Sequence, residues 1–237
     1  MIFYHHHIPR TSGMFIRYPL TSLLTSKGVK YLSVYQLEQI NKEEFYNVNY
    51  IFGHIGGYPI RLLDNVFEFG IVRNPIDRFL STFNFFSKEV LSVHPTNEFL
   101  DEWLYSDTYS LPHSNLQSKS ITGTIDEDKW NKSNRIQRVL DGWMFEDYSL
   151  DINKIKERID SAHFCSLENN NLLLDKLSSI HEKEYNFTLY KRRNKINESE
   201  PLQFIPTKSQ IDRIEELNQT DLELYEYVKT TENKVFK

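Results

Sequence analysis

Short β-favouring runs alternate with longer amphipathic stretches over residues 1–72. The runs lie at 2–7, 29–35, 49–52 and 65–72, and the first of them contains two aromatic residues followed by three histidines. The last run is nearly apolar throughout, which is typical of a central strand in a parallel sheet. Residues 14–26 predict a helix between the first two runs, and Pro19 should kink or interrupt it. Strands that alternate with helices predict an α/β fold with a doubly wound parallel sheet and right-handed crossovers.

The pattern from Pro75 onward is mainly helical. Asn74 is placed to cap a helix that begins at Pro75, and a stripe at helical spacing marks its buried face: Phe79, Phe83, Phe86 and Val90. Further helices are predicted at 97–105, 114–121, 128–140, 152–162 and 170–181, and a last strand at 163–167. After a long loop at 186–206, Thr207 and Gln210 form a capping box before an amphipathic helix with a break near Thr220. No clear linker divides the chain, so we expect one domain covering residues 1–237.

Composition narrows the class of protein. The 237 residues are 39% hydrophobic and 14% aromatic, which is typical of a globular chain. A formal charge of -5 argues against a general nucleic-acid-binding surface, although residues 1–37 contain four cations and no acid. No run approaches the ~18 apolar residues of a membrane span, and the N-terminus lacks the pattern of a signal segment. We therefore expect a cytoplasmic protein with no membrane span and no nucleic-acid partner.

Neither the cysteine nor the run of three histidines predicts a metal or redox centre. Cys165 is the single cysteine and lies in an apolar stretch, so we expect a buried, unreactive side chain. In a strand, His5 and His7 share one face while His6 takes the other, and no second cluster supplies carboxylate or cysteine ligands. We expect no bound metal.

The first candidate for a binding site lies directly after the first predicted strand. Thr11 and Ser12 are good N-cap residues for a helix that begins near Gly13. The first amides of such a helix, here those of Gly13 and Met14, have no intrahelical partner and attract an anion together with the helix dipole. Arg10 adds a full positive charge. The segment is not a Walker A loop, because a second glycine and a lysine are missing, but we expect residues 10–14 to bind a phosphate-like anion.

A second anion motif follows the fourth apolar run. Arg73 leaves the strand end with a fork of donors suited to a phosphate, and Ser81 lies about two helical turns further on, where its hydroxyl reaches the same anion. Arg78, between them, either pairs with a carboxylate or lines the site. Because the carboxyl ends of parallel strands meet at one edge of a sheet, we expect this motif to emerge beside the loop after the first strand.

His54 is the candidate general base. It follows the third predicted strand at the same sheet edge, and the neighbouring Gly53, Gly56 and Gly57 allow the close approach of a substrate. A histidine ordinarily titrates near neutral pH, which suits removal of a proton from a hydroxyl group. A purely structural histidine is the alternative, and His113 is the second choice of base, ahead of His94.

The two anion motifs resemble those of sulfotransferases that use 3′-phosphoadenosine 5′-phosphosulfate (PAPS). Residues 7–13 resemble the His-Ile-Pro-Lys-Thr-Gly-Gly signature of the Golgi carbohydrate type and its bacterial relatives, with Arg10 in place of lysine and Ser12 in place of glycine. Residues 73–81 resemble the family's motif of strand, Arg-Asp-Pro and helix, with Asn74 in place of aspartate. The resemblance implies a P-loop NTPase-like parallel sheet flanked by helices, with a helix-rich C-terminal half.

The same resemblance implies roles for single residues. Residues 10–14 would hold the 5′-phosphosulfate of PAPS, and Arg73 and Ser81 would hold its 3′-phosphate. His54 matches the catalytic histidine of heparan sulfate 2-O- and 6-O-sulfotransferases, although Phe52 replaces the first histidine of the His-Gly-His typical of the 2-O enzymes. The lack of an N-terminal anchor in this sequence favours a bacterial or viral type of member, or a shortened form of an anchored one.

Arg193 completes the set of expected cofactor-binding residues. It lies in a basic segment, 191–195, that resembles the C-terminal cofactor loop of the same family. The charge of this segment equally suits an anionic acceptor or a face that is simply exposed to solvent. Residues 112–117 resemble a segment of bacterial members that precedes the helices on the acceptor side.

We therefore expect an enzyme that moves a sulfuryl group from PAPS to a hydroxyl of an acceptor, most simply a carbohydrate, without a metal. His54 would remove the hydroxyl proton, and Arg10 would stabilise charge on the leaving phosphate. Two alternatives stay open at this point. One is a P-loop phosphotransferase that acts on a nucleoside or sugar with Mg²⁺, and the other is a non-catalytic protein that binds a glycan or nucleotide on the same scaffold.

Overall fold

Seven strands are present in the described part of the chain, which covers residues 1–34, 41–185 and 202–236 of a computed structural model. They are β1 (Ile2–His6), β2 (Tyr31–Ser33), β3 (Tyr50–Gly53), β4 (Val66–Val72), β5 (Thr124–Ile125), β6 (Phe145–Glu146) and β7 (His163–Ser166). Five of them form a parallel sheet in the order β2-β3-β1-β4-β7, while β5 pairs with β6 in antiparallel fashion. The expected α/β class and parallel sheet are confirmed.

Helices flank this sheet. In the described residues they are α1 (Gly13–Ser26), α2 (Lys42–Phe45), α3 (Tyr58–Leu62), α4 (Pro75–Phe85), α5 (Asn97–Tyr105), α6 (Asp107–His113), α7 (Leu116–Thr122), α8 (Glu127–Lys132), α9 (Arg135–Leu140), α10 (Ile152–Asp160), α11 (Asn170–Tyr185), α12 (Lys208–Leu217) and α13 (Gln219–Val235). Most of them follow β4, so the C-terminal half is rich in helix, as expected. None of the helices within the described ranges is long and apolar enough to cross a membrane.

Both faces of the sheet are covered, because successive strand residues point to opposite sides. Phe3 of β1 packs against apolar residues of α1 and α11, in a cluster that also contains Cys165 of β7. Its neighbour Tyr4 packs on the other face against Leu116 of α7. Cys165 is buried, as expected, and burial raises the pKa of its thiol, which disfavours the reactive thiolate.

A second, purely helical cluster lies beside the sheet. The predicted stripe contributes Phe79 and Phe83 of α4 and Phe86 directly after it, which pack with Trp103 of α5 and Ile214 of α12. The side chain of Asn74 accepts hydrogen bonds from the amides of Ile76 (3.0 Å) and Asp77 (3.2 Å), so the predicted N-cap of α4 is confirmed. The cluster therefore fixes the direction in which α4 leaves the sheet.

Some predicted boundaries differ from the structure. α1 runs through Pro19 without interruption, because the packing of Ile16, Leu20 and Leu24 in the core offsets the hydrogen bond that a proline loses. The helix predicted at 128–140 is two helices, since the Asn134 side chain accepts from the amide of Gln137 at 2.9 Å and so begins α9.

The C-terminal helices also differ slightly in their limits. The break between α12 and α13 falls at Asn218 rather than near Thr220, and the capping box of Thr207 and Gln210 is confirmed. Of the loop predicted at 186–206, only 202–206 are described, and they form neither helix nor strand. The remainder of that loop lies outside the described residues, and Arg193 lies outside them with it.

Candidate functional site

The candidate site lies outside the carboxyl ends of β1 and β4. These strands are neighbours, but the chain leaves β1 toward β2 on one side of the sheet and leaves β4 toward β7 on the other. Such a point of reversal opens a crevice in which parallel α/β proteins bind ligands. Arg10 follows β1 and Arg73 follows β4, so the two predicted anion motifs border this crevice.

The loop between β1 and α1 is held by hydrogen bonds to β3 and within the loop itself. The amide of His7 donates to the carbonyl of Gly53 (3.2 Å), and the Thr11 hydroxyl donates to the carbonyl of Ile8 (2.9 Å). Arg10 and Ser12 both adopt left-handed backbone conformations, with φ of 66° and 64°. The buried Thr11 hydroxyl therefore stabilises the loop, while Ser12 is exposed directly in front of α1.

Gly13 and Met14 begin α1, where the first amides have no acceptor within the helix. A Cβ atom at Gly13 would overlap the imidazole of His7, so a glycine is needed for this close approach. The side chain of Met14 lies outside the described parts of the structure.

Arg10, Ser81 and Arg73 are brought together by direct contacts. Arg10 Nε donates to Ser81 Oγ at 3.1 Å, and Arg73 Nη1 donates to the carbonyl oxygen of Arg10 at 3.2 Å. The Arg10 guanidinium also lies over the ring of Phe85, with 5.0 Å between the carbon Cζ and the ring centroid. The two motifs, separate in sequence, thus form a single cluster in which Arg10 contacts the helix of the second motif.

This cluster is electrostatically suited to an anion. Burial lowers the pKa of Arg10, and the charge of Arg73 lowers it further, while Glu89 opposes both effects. Burial likewise lowers the pKa of Arg73, with Asp77 and Glu168 acting in the opposite direction. No acidic side chain of the described residues forms an ion pair with Arg73. Both guanidinium groups remain protonated at neutral pH, so an anion between them would relieve their repulsion.

His54 follows β3 and lies between two other rings. Its ring centroid is 4.5 Å from that of His7 and 4.1 Å from that of Trp143. The His54 side chain is 7% exposed, and His7 in turn contacts Gly13 at the start of α1. Burial, followed by the charges of Arg17 and Arg10, lowers the pKa of His7 to about 3. His7 is therefore neutral at physiological pH and adds no positive charge beside His54.

The other candidate site residues from the sequence, two histidines and one arginine, are exposed or are committed to structural contacts. His113 is buried against Phe86 and Trp103, and burial, helped by Arg78 and Lys119, lowers its pKa to about 3. His94 is exposed. Arg78 is fully buried and pairs with Asp221, the Nε to Oδ2 distance being 3.9 Å, so the first of its two predicted roles is the one observed.

Of the three consecutive histidines, His5 and His7 stack on one face and His6 pairs with Glu68 on the other. Across the described ranges, no group of three or more His, Cys, Asp or Glu side chains is arranged to hold a metal ion. The first two histidines therefore serve the sheet, and only His7 reaches the candidate site.

Gln117 is a site residue that the sequence does not single out. Its side chain clamps the peptide of Arg73, since Oε1 accepts from the Arg73 amide (2.8 Å) and Nε2 donates to the Arg73 carbonyl (2.9 Å). Gln117 is fully buried, and its backbone amide donates to Asp221 Oδ2 at 3.0 Å. The segment 112–117 carries a family resemblance, but a contact between residues so far apart leaves no local signal.

Trp143 is a second residue of the candidate site that the sequence does not single out. It lies in a turn in which Gly142, Trp143 and Met144 all have left-handed backbones, with φ of 59°, 67° and 59°. The dipeptide Asp141-Gly142 is a turn signal, but nothing in it indicates that the next side chain covers His54.

The chain has no match among protein families of known sequence pattern. No family model matches it, and no characterised protein matches it. Its function must therefore be inferred from the motif residues and from the geometry that they adopt.

Proposed function

We propose that this protein is a PAPS-dependent sulfotransferase that acts on a hydroxyl group, most simply that of a carbohydrate. The observation that carries the proposal is the meeting of Arg10, Ser81 and Arg73 at the crevice between β1 and β4. Two motifs that resemble the 5′- and 3′-phosphate sites of one family contact each other directly. A loop that leads from the central strand into a helix N-terminus, as in P-loop proteins, supports the same ligand chemistry.

The proposed reaction is an in-line displacement at sulfur. The acceptor oxygen forms a new bond to sulfur while the bond between sulfur and the bridging phosphate oxygen breaks. The acceptor proton passes to His54, and 3′-phosphoadenosine 5′-phosphate leaves with the bond electrons. Arg10 and the first amides of α1 stabilise the negative charge that develops on the bridging oxygen, so catalysis is mainly positioning and electrostatic stabilisation.

His7 supports the proposed base in two ways. Its ring packs against His54 and limits the orientations that the second imidazole adopts. Because the lowered pKa keeps His7 neutral, the ring does not oppose the positive charge that His54 gains with the proton. A charged neighbour would have made His54 a weaker base.

The binding of 3′-phosphoadenosine 5′-phosphate, the desulfated product, tests the proposal. We would titrate the protein calorimetrically with this nucleotide, with AMP and with ATP, each with and without Mg²⁺. Binding that needs the 3′-phosphate and not the metal is expected. Binding of ATP with Mg²⁺ alone would support a phosphotransferase, and nucleotide binding without transfer to any acceptor would support a non-catalytic binding protein.

Arg73→Ala should weaken the binding of 3′-phosphoadenosine 5′-phosphate roughly 10- to 150-fold, the equivalent of a hydrogen bond to a charged group worth about 1.5–3 kcal/mol. Arg73→Lys should recover only part of this loss, because a lysine keeps the charge but not the planar fork. The matched control is Arg213→Ala, which removes an arginine paired with Glu216 on α12. Equal nucleotide affinities in the Arg73 and Arg213 variants would show that Arg73 does not contact the nucleotide.

Gln117→Leu should weaken the same nucleotide about tenfold, as expected if about 1.4 kcal/mol of hydrogen bonding to the Arg73 peptide is lost. The control is Gln210→Leu, since Gln210 is also buried but bonds to Asn97 and Asp101, away from the crevice. Both variants lose a buried amide, so similar losses of thermal stability are expected in each. A positioning role requires that only the Gln117 variant loses nucleotide affinity.

A further inference from the structure

The turn that carries Trp143 has an unusual backbone conformation. Three consecutive left-handed residues are rare outside glycine, and Trp143 and Met144 hold this conformation without that freedom. A Cβ atom at Gly142 would overlap the carbonyl of Pro112, so the turn is fixed against the end of α6 by a glycine. Backbones of this kind persist where the surrounding structure holds a side chain in a required place.

In this turn, the side chain that is held is Trp143, and it packs on the ring of His54. The indole and imidazole centroids are 4.1 Å apart with 35° between the ring planes, and His7 covers His54 from a second direction. Nδ1 of the imidazole is buried, so a hydroxyl group that reaches His54 would have to approach Nε2. The neighbouring indole of Trp143 is partly exposed and offers an apolar surface beside that approach.

The acids around this turn all have polar partners. Glu146 forms an ion pair with Lys129, Asp147 pairs with Arg61 at 3.5 Å, and Asp141 accepts from the side-chain amide of Gln137 at 2.8 Å. Tyr58 donates to Glu127 at 2.6 Å. A highly sulfated glycan needs a surplus of basic side chains, whereas a neutral sugar needs an aromatic face and hydrogen bonds.

We propose that Trp143 forms the acceptor subsite and takes a neutral sugar ring, whose apolar face packs on the indole while one hydroxyl reaches His54. The proposal rests on the sulfotransferase function proposed above and specifies its acceptor class. It assigns the acceptor to the segment between α9 and β6, where Trp143 packs against His54.

Tryptophan fluorescence offers a direct test. The chain has three tryptophans, and Trp103 and Trp130 are fully buried, so a change caused by a bound sugar reports mainly on Trp143. We would titrate neutral oligosaccharides of glucose, galactose, mannose and N-acetylglucosamine, and separately heparin, with and without saturating 3′-phosphoadenosine 5′-phosphate. A saturable change with a neutral oligosaccharide, absent in Trp143→Phe, is expected.

Affinity measured by calorimetry completes the test. Trp143→Ala should bind the active oligosaccharide at least about tenfold more weakly while its nucleotide affinity stays that of the wild type, and Trp143→Phe should be intermediate. The control is Tyr105→Ala, which removes an exposed aromatic ring elsewhere. If the alanine variant does not fold, the phenylalanine variant decides.

Three outcomes would overturn the subsite. They are binding of heparin in preference to every neutral sugar, no binding of any neutral sugar, and sugar affinity that is unchanged in both Trp143 variants. Failure of the nucleotide to bind is a separate result and counts against the sulfotransferase function, because the sugar titration is also performed without nucleotide.

Discussion

His54→Ala should lower turnover about 10²–10⁴-fold, the usual effect of removing a general base, and leave nucleotide affinity largely unchanged. The reason is positional, since His54 packs against His7 and Trp143, whereas Arg10, Ser81 and Arg73 are joined by contacts with one another. Turnover would be measured as release of 3′-phosphoadenosine 5′-phosphate from PAPS with the oligosaccharide that changes the fluorescence. His54→Gln should be equally slow, because an amide has no basic nitrogen.

The control for this variant is His94→Ala, which removes an exposed imidazole from another part of the surface. It should retain full turnover. A His54→Ala protein with normal turnover would show that another group accepts the proton, while loss of nucleotide binding in that variant would show that His54 holds the loop rather than the acceptor.

Asp221→Ala should lower the free energy of unfolding by about 3–5 kcal/mol, as expected when one partner of a buried ion pair is removed. Asp221 is fully buried and accepts from the amides of Gln117 (3.0 Å) and Ser118 (2.8 Å) and from the Ser118 hydroxyl (2.6 Å). Its removal also leaves the fully buried Arg78 without its charge partner. Urea denaturation would measure the loss.

The matched control is Asp212→Ala on α12, where the carboxylate pairs with an exposed lysine at the surface. That substitution should leave the unfolding transition nearly where it was. If the Asp221 variant were as stable as this control, the buried network would not hold α7 and α13 together. A stable Asp221 variant with weakened nucleotide binding would locate its effect in the Gln117 clamp alone.

The sheet could be predicted from the sequence because its strands are short runs of β-favouring residues with clear boundaries. The start of α4 was equally visible, since Asn74 and Pro75 are local signals whose effect is confined to one turn. The meeting of Arg10 and Arg73 followed from a rule of topology, namely that strand ends share an edge of the sheet. Predictions of this kind need only local chemistry and the order of the strands.

The parts that could not be predicted depend on contacts between distant residues. The Gln117 clamp joins positions 44 residues apart, and the bond of Ser118 to Asp221 spans 103. Trp143 has a backbone conformation that its own side chain disfavours, and only the packing around it accounts for this backbone. Secondary-structure propensities of single residues carry no information on these distant contacts or on the backbone of Trp143.

The buried network also sets when the proposed nucleotide site becomes complete during synthesis. Arg10, Arg73 and Ser81, the described residues of the proposed nucleotide site, lie before position 82, yet the Arg73 peptide is held by Gln117, which is held by Asp221 in α13. A nascent chain on the ribosome therefore carries these residues long before their support exists. Nucleotide binding should begin only after α13 has left the exit tunnel, so nascent chains stalled before that point should not bind the nucleotide.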